Sequence, residues 1–386
     1  MVTRTVILTN NLSSKFPVNE LCPILSIDLT ALSHNYVALQ KKSGTAKLAT
    51  VVKADAYGLG IDNIVPVLKA AGCESFFVAT ANEATALRTI TNDSDIYIMN
   101  GLTCDGAELA DKKLAPCLAS AEEVARWIIL CADRSTNLPA AIHIDTGFNR
   151  LGICPDDWPE IADQVKASLF TPRLIMSHLA CSEYKEHPKN SSQLEKFEAA
   201  RQLFPDVTAS LANSGGIFLG SDFHYNLIRA GIGLYGSVEF DTADAGLQNV
   251  LSLHVPILQI RDVKQGETVG YGCDFIAQRD TQVAILGIGY ADGIFRHLGD
   301  LENKPASASV ALQGQMLPLI GRISMDLTTI DVTDFNGKLE KGMMVELIGE
   351  NIKLADVAKR ANSISYEILT RLGTRYKRYY KQSDKP

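Results

Sequence analysis

The sequence lacks the features typical of membrane proteins, nucleic-acid-binding proteins and proteins stabilised by disulfides or zinc. It has no run of roughly 18 apolar residues, so no segment is predicted to span a membrane. The formal net charge of −7 argues against nucleic acid or an anionic membrane as a partner. The eight cysteines are scattered and form no CxxC pair, so they predict neither a zinc site nor a redox motif.

Other absences concern location and organisation. The N-terminal residues contain only a short apolar stretch without a cleavage pattern, which is not typical of a secretion signal. With the scattered cysteines, this predicts reduced thiols and a cytoplasmic location. No repeat, low-complexity segment or flexible linker divides the chain. The basic, aromatic stretch Arg371–Lys381 is more typical of a half-buried terminal strand than of a nucleic-acid site.

What the sequence does contain is an alternation of short β-rich apolar runs with helical patterns, from Ile24 to about Leu251. This alternation indicates βα units and a parallel sheet. Eight strands with intervening helices predict an α/β fold, a TIM-type (β/α)8 barrel. The predicted strands are Leu48–Lys53, Ser75–Thr80, Asp95–Asn100, Leu114–Ser120, Ala140–Asp145, Arg173–His178, Thr208–Asn213 and Leu227–Ile232. The predicted helices include Ala81–Ile90, Ala121–Ala132 and Gln193–Leu203.

The pattern changes after Leu251, where short strands are separated by Gly, Asp and Asn turns. These strands are predicted at Val255–Val263, Thr281–Gly287, Ser307–Gln313, Gln315–Ile320, Thr328–Val332 and Met343–Ile348. They indicate a smaller, mainly β C-terminal domain. We therefore expect an N-terminal extension at 1–23 that packs with the C-terminal domain, a barrel at 24–251 and the β domain at 252–386.

The segment TVVKADAYGLG (Thr50–Gly60) places Lys53 at the end of a predicted buried strand. The carboxyl ends of parallel strands are where α/β proteins bind ligands. Burial also lowers the pKa of a lysine, as Schiff-base chemistry requires. The alternative is a strand-end lysine that extends into solvent, and this segment alone favours that alternative.

Other chemically useful side chains follow other predicted strands: Asp145 and Arg150, then His178, then Ser214 and Arg229. Each has an ordinary structural interpretation, such as a loop cap, a surface arginine or a core histidine. Because the carboxyl ends of barrel strands meet at one mouth, these residues are expected to lie together with Lys53.

The last two strands of a barrel are followed by loops that often bind phosphate. Here these loops contain Ser214-Gly215-Gly216 and Gly231-Ile232-Gly233. A Schiff-base lysine and a phosphate site together indicate pyridoxal phosphate. The run Gly231–Gly236 also matches GxGxxG, but the stretch Ala245–Ile260 has no acid to hold a ribose, which disfavours a dinucleotide site.

Eight motifs in order then carry a family resemblance between Ile24 and Tyr380. They are VVKADAYGLG, IHIDTGFNRLG, SHLA, LANSGG, LIRAGIGLYG, GYADG, GRISMD and SYEILTRLGTRYKRYY. Together they resemble alanine racemase, a fold-type III pyridoxal-phosphate family. The resemblance implies pyridoxal 5'-phosphate as cofactor, L- and D-alanine as substrates, and a homodimer with shared active sites. In bacteria it also implies supply of D-alanine for peptidoglycan.

The resemblance also implies roles for individual residues. Lys53 matches the lysine that forms the internal aldimine and acts as the base for D-alanine. Tyr290 matches the base for L-alanine, which the other subunit of the dimer contributes, with His178 and Arg229 as candidates to assist its ionisation. The other expected cofactor contacts are Tyr57, His178, Ser214, Arg229, Gly231, Ile232 and Tyr366. The expected substrate contacts are Arg150, the backbone N–H of Met325, and Asp326 at the site entry.

The match of Arg229 bears on the type of reaction. An arginine retains its proton, so facing the pyridine nitrogen it leaves that nitrogen unprotonated and weakens the electron sink. This limits transamination and disfavours a basic amino-acid decarboxylase, which normally places an acid there. A broad-specificity racemase is disfavoured by the missing export signal. A non-catalytic pyridoxal-phosphate carrier is disfavoured by the GYADG and GRISMD motifs.

One position departs from the family pattern. Many members have a carbamylated lysine two residues before Asp-Thr-Gly, where it orients the arginine that matches Arg150. This chain has His143 there, and an imidazole carries no stable carbamate of that kind. A water, a chloride ion or a direct contact could orient Arg150 instead. The other interpretation is that His143 is simply a buried strand histidine.

Overall fold

The computed structural model describes residues 21–237, 246–300 and 306–382. These residues form two compact units. We call Leu32–Leu247 the barrel unit, and the described residues up to Ala31 together with those from Gln248 onward the β unit. The chain begins with β1 (Ile24–Asp28) and α1 (Leu29–Lys42), and the first boundary between the units falls within α1.

The barrel unit contains eight parallel strands whose residues are almost all buried. They are β2 (Lys47–Val51), β3 (Ser75–Val78), β4 (Asp95–Ile98), β5 (Ala115–Leu118), β6 (Ala141–His143), β7 (Leu174–Met176), β8 (Thr208–Ser210) and β9 (Leu227–Ala230). Their order is β8-β7-β6-β5-β4-β3-β2-β9. Two backbone bonds join the ends of this sheet, from Asn226 N to Ala209 O (3.1 Å) and from Arg229 N to Ala212 O (3.0 Å). The predicted eight-stranded barrel is confirmed.

Helices connect these strands. They are α2 (Lys53–Gly58), α3 (Ile61–Ala70), α4 (Ala81–Ile90), α5 (Gly106–Asp111), α6 (Ala121–Asp133), α7 (Trp158–Lys166) and α8 (Pro188–Gln202). Helix α4 starts where Thr80 accepts from Glu83 N, because a hydroxyl at this position satisfies a free N–H of the first turn. Within the described ranges, no helix is long and apolar enough to cross a membrane.

The β unit contains mainly antiparallel strands and two short helices. They are β10 (Leu251–Val263), β11 (Thr268–Val269), β12 (Phe275–Ile276), β13 (Thr281–Leu286), β14 (Ser309–Leu312), β15 (Gln315–Ile320), β16 (Thr328–Asp331), β17 (Met344–Ile348), α9 (Leu354–Arg360), α10 (Ser365–Arg371) and β18 (Lys377–Lys381). The main sheet has the order β13-β16-β15-β14-β17-β10-β1-β18, and β13 also pairs with β10. Because β10 pairs with both β17 and β13, the first six strands close into a ring. The predicted mainly β C-terminal domain is confirmed.

Strand β1 joins this second sheet. It pairs antiparallel with β10, Leu25 opposite Leu253, and parallel with β18. The predicted domain boundary at Ile24 therefore differs from the division after Ala31. The sequence of a buried apolar strand is compatible with either sheet, and only its long-range pairing decides which sheet it joins. The predicted extension at 1–23 lies outside the described residues, apart from residues 21–23.

Candidate functional site

The carboxyl ends of the barrel strands bring together most of the predicted site residues. We call this region the barrel mouth. Lys53 follows β2, Arg150 lies in the loop after β6, His178 follows β7, Ser214 follows β8, and Arg229 lies within β9.

The turn after Lys53 has an unusual backbone. Ala54, Asp55, Ala56 and Tyr57 all have left-handed conformations, with φ of 53, 55, 53 and 58°. Only Asp55 is of a type that often adopts this conformation, which costs roughly 1–2 kcal/mol for each of the other three residues. Hydrogen bonds of the surroundings must hold the turn, and strain of this kind is concentrated at functional sites.

Glu83 is a main support of this turn. One of its carboxylate oxygens accepts from Ala54 N (2.8 Å), and the other accepts from Ala79 N (2.7 Å) and Thr80 N (3.2 Å). Glu83 thus ties the residue after Lys53 to the end of β3. The side chain of Asp55 accepts from the N–H of Ile61, which follows the turn, at 2.8 Å.

Lys53 itself lies where its charged form is less favoured than in water. Burial lowers the pKa of Lys53, and the positive charge of Arg150 lowers it further, while Glu83 opposes the shift. A lysine of lowered pKa is a better nucleophile and a better proton acceptor near neutral pH.

Arg229 is fully buried and fixed by hydrogen bonds at one edge. It donates through Nη1 to Ser210 O (2.9 Å) and Oγ (2.5 Å), and through Nη2 to Ser177 O (2.5 Å) and His178 Nδ1 (3.4 Å). Burial lowers the pKa of Arg229 to about 10, so the guanidinium remains charged at neutral pH. Its buried Nε has no partner among the described residues. One donor is therefore left for a ligand.

Two histidines beside Arg229 are neutral. Burial, followed by the charge of Arg229, lowers the pKa of His178 well below its usual range and that of His143 to about 4. Because arginine can only donate, His178 Nδ1 accepts and its proton must be on Nε2. His143 lies at the end of β6, and its Nδ1 has no partner in the described part of the chain.

The loop that carries Arg150 is organised by Asp145. Its Oδ1 accepts from three successive backbone N–H groups, those of Gly147 (2.8 Å), Phe148 (2.9 Å) and Asn149 (3.2 Å). The loop-cap interpretation of Asp145 is therefore confirmed. The guanidinium of Arg150 is 4.1 Å from the centroid of the Phe148 ring.

Backbone amides cluster around Ser214 in the loops after β8 and β9. Its Oγ accepts from Gly231 N (2.8 Å) and Gly233 N (3.2 Å). The buried N–H of Ile232 donates to no described residue. A Cβ on Gly231 would collide with the hydroxyl of Tyr57, which shows that this tyrosine reaches the cluster. Such a group of amides and hydroxyls suits a phosphate.

The remaining predicted site residues lie in the β unit. Tyr290 begins a short 3-10 turn, Tyr290–Asp292, which we call the Tyr290 turn. Tyr290 N donates to Ser324 O and Ala291 N donates to Met325 O, both at 3.0 Å. These bonds hold the exposed Tyr290 beside the exposed Met325, whose own N–H has no partner in the described residues.

An ionic network anchors the Tyr290 turn. Buried Asp292 accepts from Gly289 N (2.9 Å) and from Arg375 through Nε (2.6 Å) and Nη2 (2.8 Å). The same arginine donates through Nη1 to Asp326 at 2.7 Å. The hydroxyl of Tyr376 donates to Asp292 O. Asp326 is thus tied to the turn, whereas Tyr366 lies on α10.

Sequence reasoning missed several of these supports. Glu83 had a visible signal, because Thr80 and Glu83 have the spacing of a capping box. Asp292 and Arg375 lie inside the quoted motifs, but their pairing depends on residues 83 positions apart. Gln193 on α8 had no signal. Its buried amide accepts from Ala180 N (2.8 Å) and donates to His178 O (2.8 Å) and Thr146 Oγ1 (3.0 Å).

Comparison with known proteins finds matching family models over most of the chain. The family model for the N-terminal domain of alanine racemase matches residues 27–239, and that for the C-terminal domain matches residues 250–380.

Similar proteins extend over nearly the whole chain. An alanine racemase of Rhizobium meliloti (strain 1021) is 40% identical over 364 residues, which cover 92% of this chain and 96% of that protein. A biosynthetic alanine racemase of Agrobacterium fabrum is 40% identical over 392 residues, 98% of this chain and 100% of that protein. The crystal structure of the Bartonella henselae alanine racemase with covalently bound pyridoxal phosphate has a TM-score of 0.88 and 37% identity, and covers 93% of this chain and 99% of that one. The chain belongs to the alanine racemase family.

Proposed function

We propose that this protein interconverts L-alanine and D-alanine with pyridoxal 5'-phosphate as its cofactor. The proposal rests on family membership and, above all, on the buried Arg229 with its free Nε. A guanidinium that retains its proton beside the pyridine nitrogen suits racemisation.

The barrel mouth fits this cofactor. Lys53 is a half-buried amine of lowered pKa and would attach it covalently. Arg229 Nε is a buried donor without a protein acceptor and would face its ring nitrogen. The amides around Ser214, with Ile232 N–H and the Tyr57 hydroxyl, would hold its phosphate. We assign Tyr366 a further phosphate contact on the resemblance.

The cofactor supplies electron withdrawal from the bond between the α-carbon and its hydrogen. The protein moves the proton. Lys53 Nζ would accept the α-proton of D-alanine on one face, and Tyr290 Oη would accept that of L-alanine on the other. After one residue has removed the α-proton, the other donates a proton to the opposite face. The configuration of alanine inverts, and no proton is gained or lost overall. Arg150 and Met325 N–H would hold the substrate carboxylate, with Asp326 near the entry.

The electrostatics of the barrel mouth disfavour the rival decarboxylase. No carboxylate is hydrogen-bonded to Arg229, whose described partners are serine hydroxyl and carbonyl oxygens and a neutral histidine. With Arg229 there, the cofactor would be a weak electron sink, which suits simple proton exchange.

We also propose that two copies share their active sites, each supplying Tyr290 to the other. Exposed apolar side chains lie close to Tyr290 in the same loops: Tyr290 and Met325 are 40% and 54% exposed, and Leu327, bonded through its backbone to Ser324, is 42% exposed. Exposed apolar patches of this kind mark protein–protein contact sites. The copies would work in the cytoplasm, supplying D-alanine for peptidoglycan, and the eight free cysteines are consistent with a reducing location.

The function is tested by incubating the purified, cofactor-loaded protein with L-alanine and measuring D-alanine by chiral chromatography. We expect approach to a racemic mixture from either enantiomer. No D-alanine from a loaded sample would refute the activity, and racemisation of many amino acids at similar rates would favour the broad-specificity alternative.

Site sharing is tested by mixing two inactive variants, Lys53→Ala and Tyr290→Phe. If equal amounts exchange subunits freely, half of the dimers contain one intact site, so about a quarter of the wild-type activity should return. No recovery despite demonstrated subunit exchange would refute shared sites.

A further inference from the structure

Arg150 has an unusual environment for a residue expected to bind a carboxylate. It is exposed and makes no ion pair or hydrogen bond within the described part of the chain. Its one described partner is the ring of Phe148, 4.1 Å away. His143, which occupies the position of the family's orienting lysine, is buried and makes no bond to it.

Phe148 is well placed to act as a fixed platform. Its backbone N–H is bound by Asp145, the same carboxylate that holds the neighbouring N–H groups of the loop. Its ring meets the ring of His178 in an edge-on arrangement, with centroids 5.6 Å apart and planes at 63°. His178 is fixed in turn by Arg229 Nη2 and through its carbonyl by Gln193. The platform is thus tied to two strand ends.

We propose that Phe148 is a positioning residue that orients Arg150 for the substrate carboxylate, in place of the carbamylated lysine of other family members. This inference rests on the proposed role of Arg150 in binding that carboxylate.

The geometry explains how an apolar ring can do this. A guanidinium attracted to a ring face uses its own flat face for the contact. Its N–H groups lie in the guanidinium plane and stay free to bind a carboxylate at two points. An acidic partner would instead occupy some of these donors. Because the ring neutralises no charge, Arg150 also keeps its full attraction for an anion.

The test compares Phe148→Leu, which removes the aromatic face, with Phe148→Tyr, which keeps it. A cation–π contact at an exposed site corresponds to about a two- to fivefold change in binding. We expect Phe148→Leu to raise KM for alanine by about that factor with little change in kcat, and Phe148→Tyr to stay near wild type. The exposed neighbour Leu151, changed to Ala, is the matched control and should change KM less.

A second readout does not depend on turnover. Propionate has the carboxylate of alanine without its amine, and its Kd for the cofactor-loaded protein can be measured by calorimetry. Phe148→Leu should weaken propionate binding by the same factor as it raises KM, but should have no further effect when Arg150→Gln is already present.

The proposal is overturned if Phe148→Leu weakens propionate equally in both backgrounds, or if Phe148→Tyr loses as much as Phe148→Leu. Failure of the proposed function would look different, because the wild-type protein would then not racemise alanine whatever stands at position 148.

Discussion

The barrel mouth and the Tyr290 turn differ in whether their cationic side chains are paired with carboxylates. In the barrel mouth, the groups of Lys53 and Arg229 have lowered pKa values, and no carboxylate of the described residues is hydrogen-bonded to either. The nearby acids Glu83 and Asp145 bind backbone N–H groups instead. The positive charge in the barrel mouth is therefore available to anionic ligands. The proposed cofactor carries a phosphate and the proposed substrate a carboxylate.

In the Tyr290 turn the charges are compensated within the protein. Arg375 is held between Asp292 and Asp326, and the network fixes the backbone around an exposed tyrosine. The difference indicates a division of work. In the proposed mechanism, the barrel mouth would bind and polarise the substrate, whereas the turn would present the Tyr290 side chain at a defined position.

The largest effect is expected from removing the central amine of the barrel mouth. Lys53→Ala should abolish covalent attachment of the cofactor and lower racemisation by at least about 10⁴-fold, because both the nucleophile and one base are lost. Absorbance of the attached cofactor and chiral assays measure the two effects. Lys47→Ala is the matched control, since Lys47 begins the same strand but is exposed and pairs with Glu74. Retained attachment in Lys53→Ala would contradict the assignment.

A smaller effect is expected on the pH dependence of stability, through the buried His143 of the barrel mouth. The pKa of buried His143 is about 4 in the folded protein, against 6.5 as its ordinary value. Between these pH values the unfolded chain binds more protons, so stability falls as pH is lowered. The contribution of His143 is complete above pH 6.5 and about 3 kcal/mol smaller at pH 4.

This difference is measured by denaturant unfolding of the cofactor-loaded protein across that pH range. Replacing His143 with Gln should remove this part of the pH dependence, while other groups titrate as before. Equal pH dependence of stability in wild type and variant would mean that His143 is not buried in its neutral form.

The smallest effect is expected in the network of the Tyr290 turn. Asp292→Asn should lower the free energy of unfolding by about 1–3 kcal/mol, because a buried acceptor of several hydrogen bonds loses its charge. Asp326→Asn is the matched control and should cost less, since the Asp326 side chain is 57% exposed and that of Asp292 is 4% exposed. Equal losses in thermal unfolding would show that the network is not anchored at its buried end.

Much of the fold could be predicted from the sequence. Each of the eight barrel strands overlaps its predicted run, and the ends differ by no more than a few residues. The segment Ala81–Ile90 is helical as predicted. Buried parallel strands are rich in apolar and β-branched residues, so each leaves a local signal. The pairing of β1 could not be predicted, because it depends on strands more than 200 residues away in the chain.

The site was predictable at the level of residue types and strand ends. The left-handed turn after Lys53 was not, because of Ala54 to Tyr57 only Asp55 is of a type that often adopts this conformation. The Phe148 platform and the amide of Gln193 were also missed, since both depend on contacts with His178, which lies on a different element of the fold. The assignments of Lys53 and Tyr290 as bases remain predictions.

The central claim is that the two regions supply one base each. It is tested most directly by following exchange of the α-hydrogen of each alanine enantiomer in deuterated water with the Tyr290→Phe variant. We predict that exchange into L-alanine falls by about 10²- to 10⁴-fold, while D-alanine still exchanges through Lys53. Tyr271→Phe, which alters another exposed tyrosine of the β unit, should leave both rates unchanged. Undiminished exchange into L-alanine in Tyr290→Phe would contradict the account.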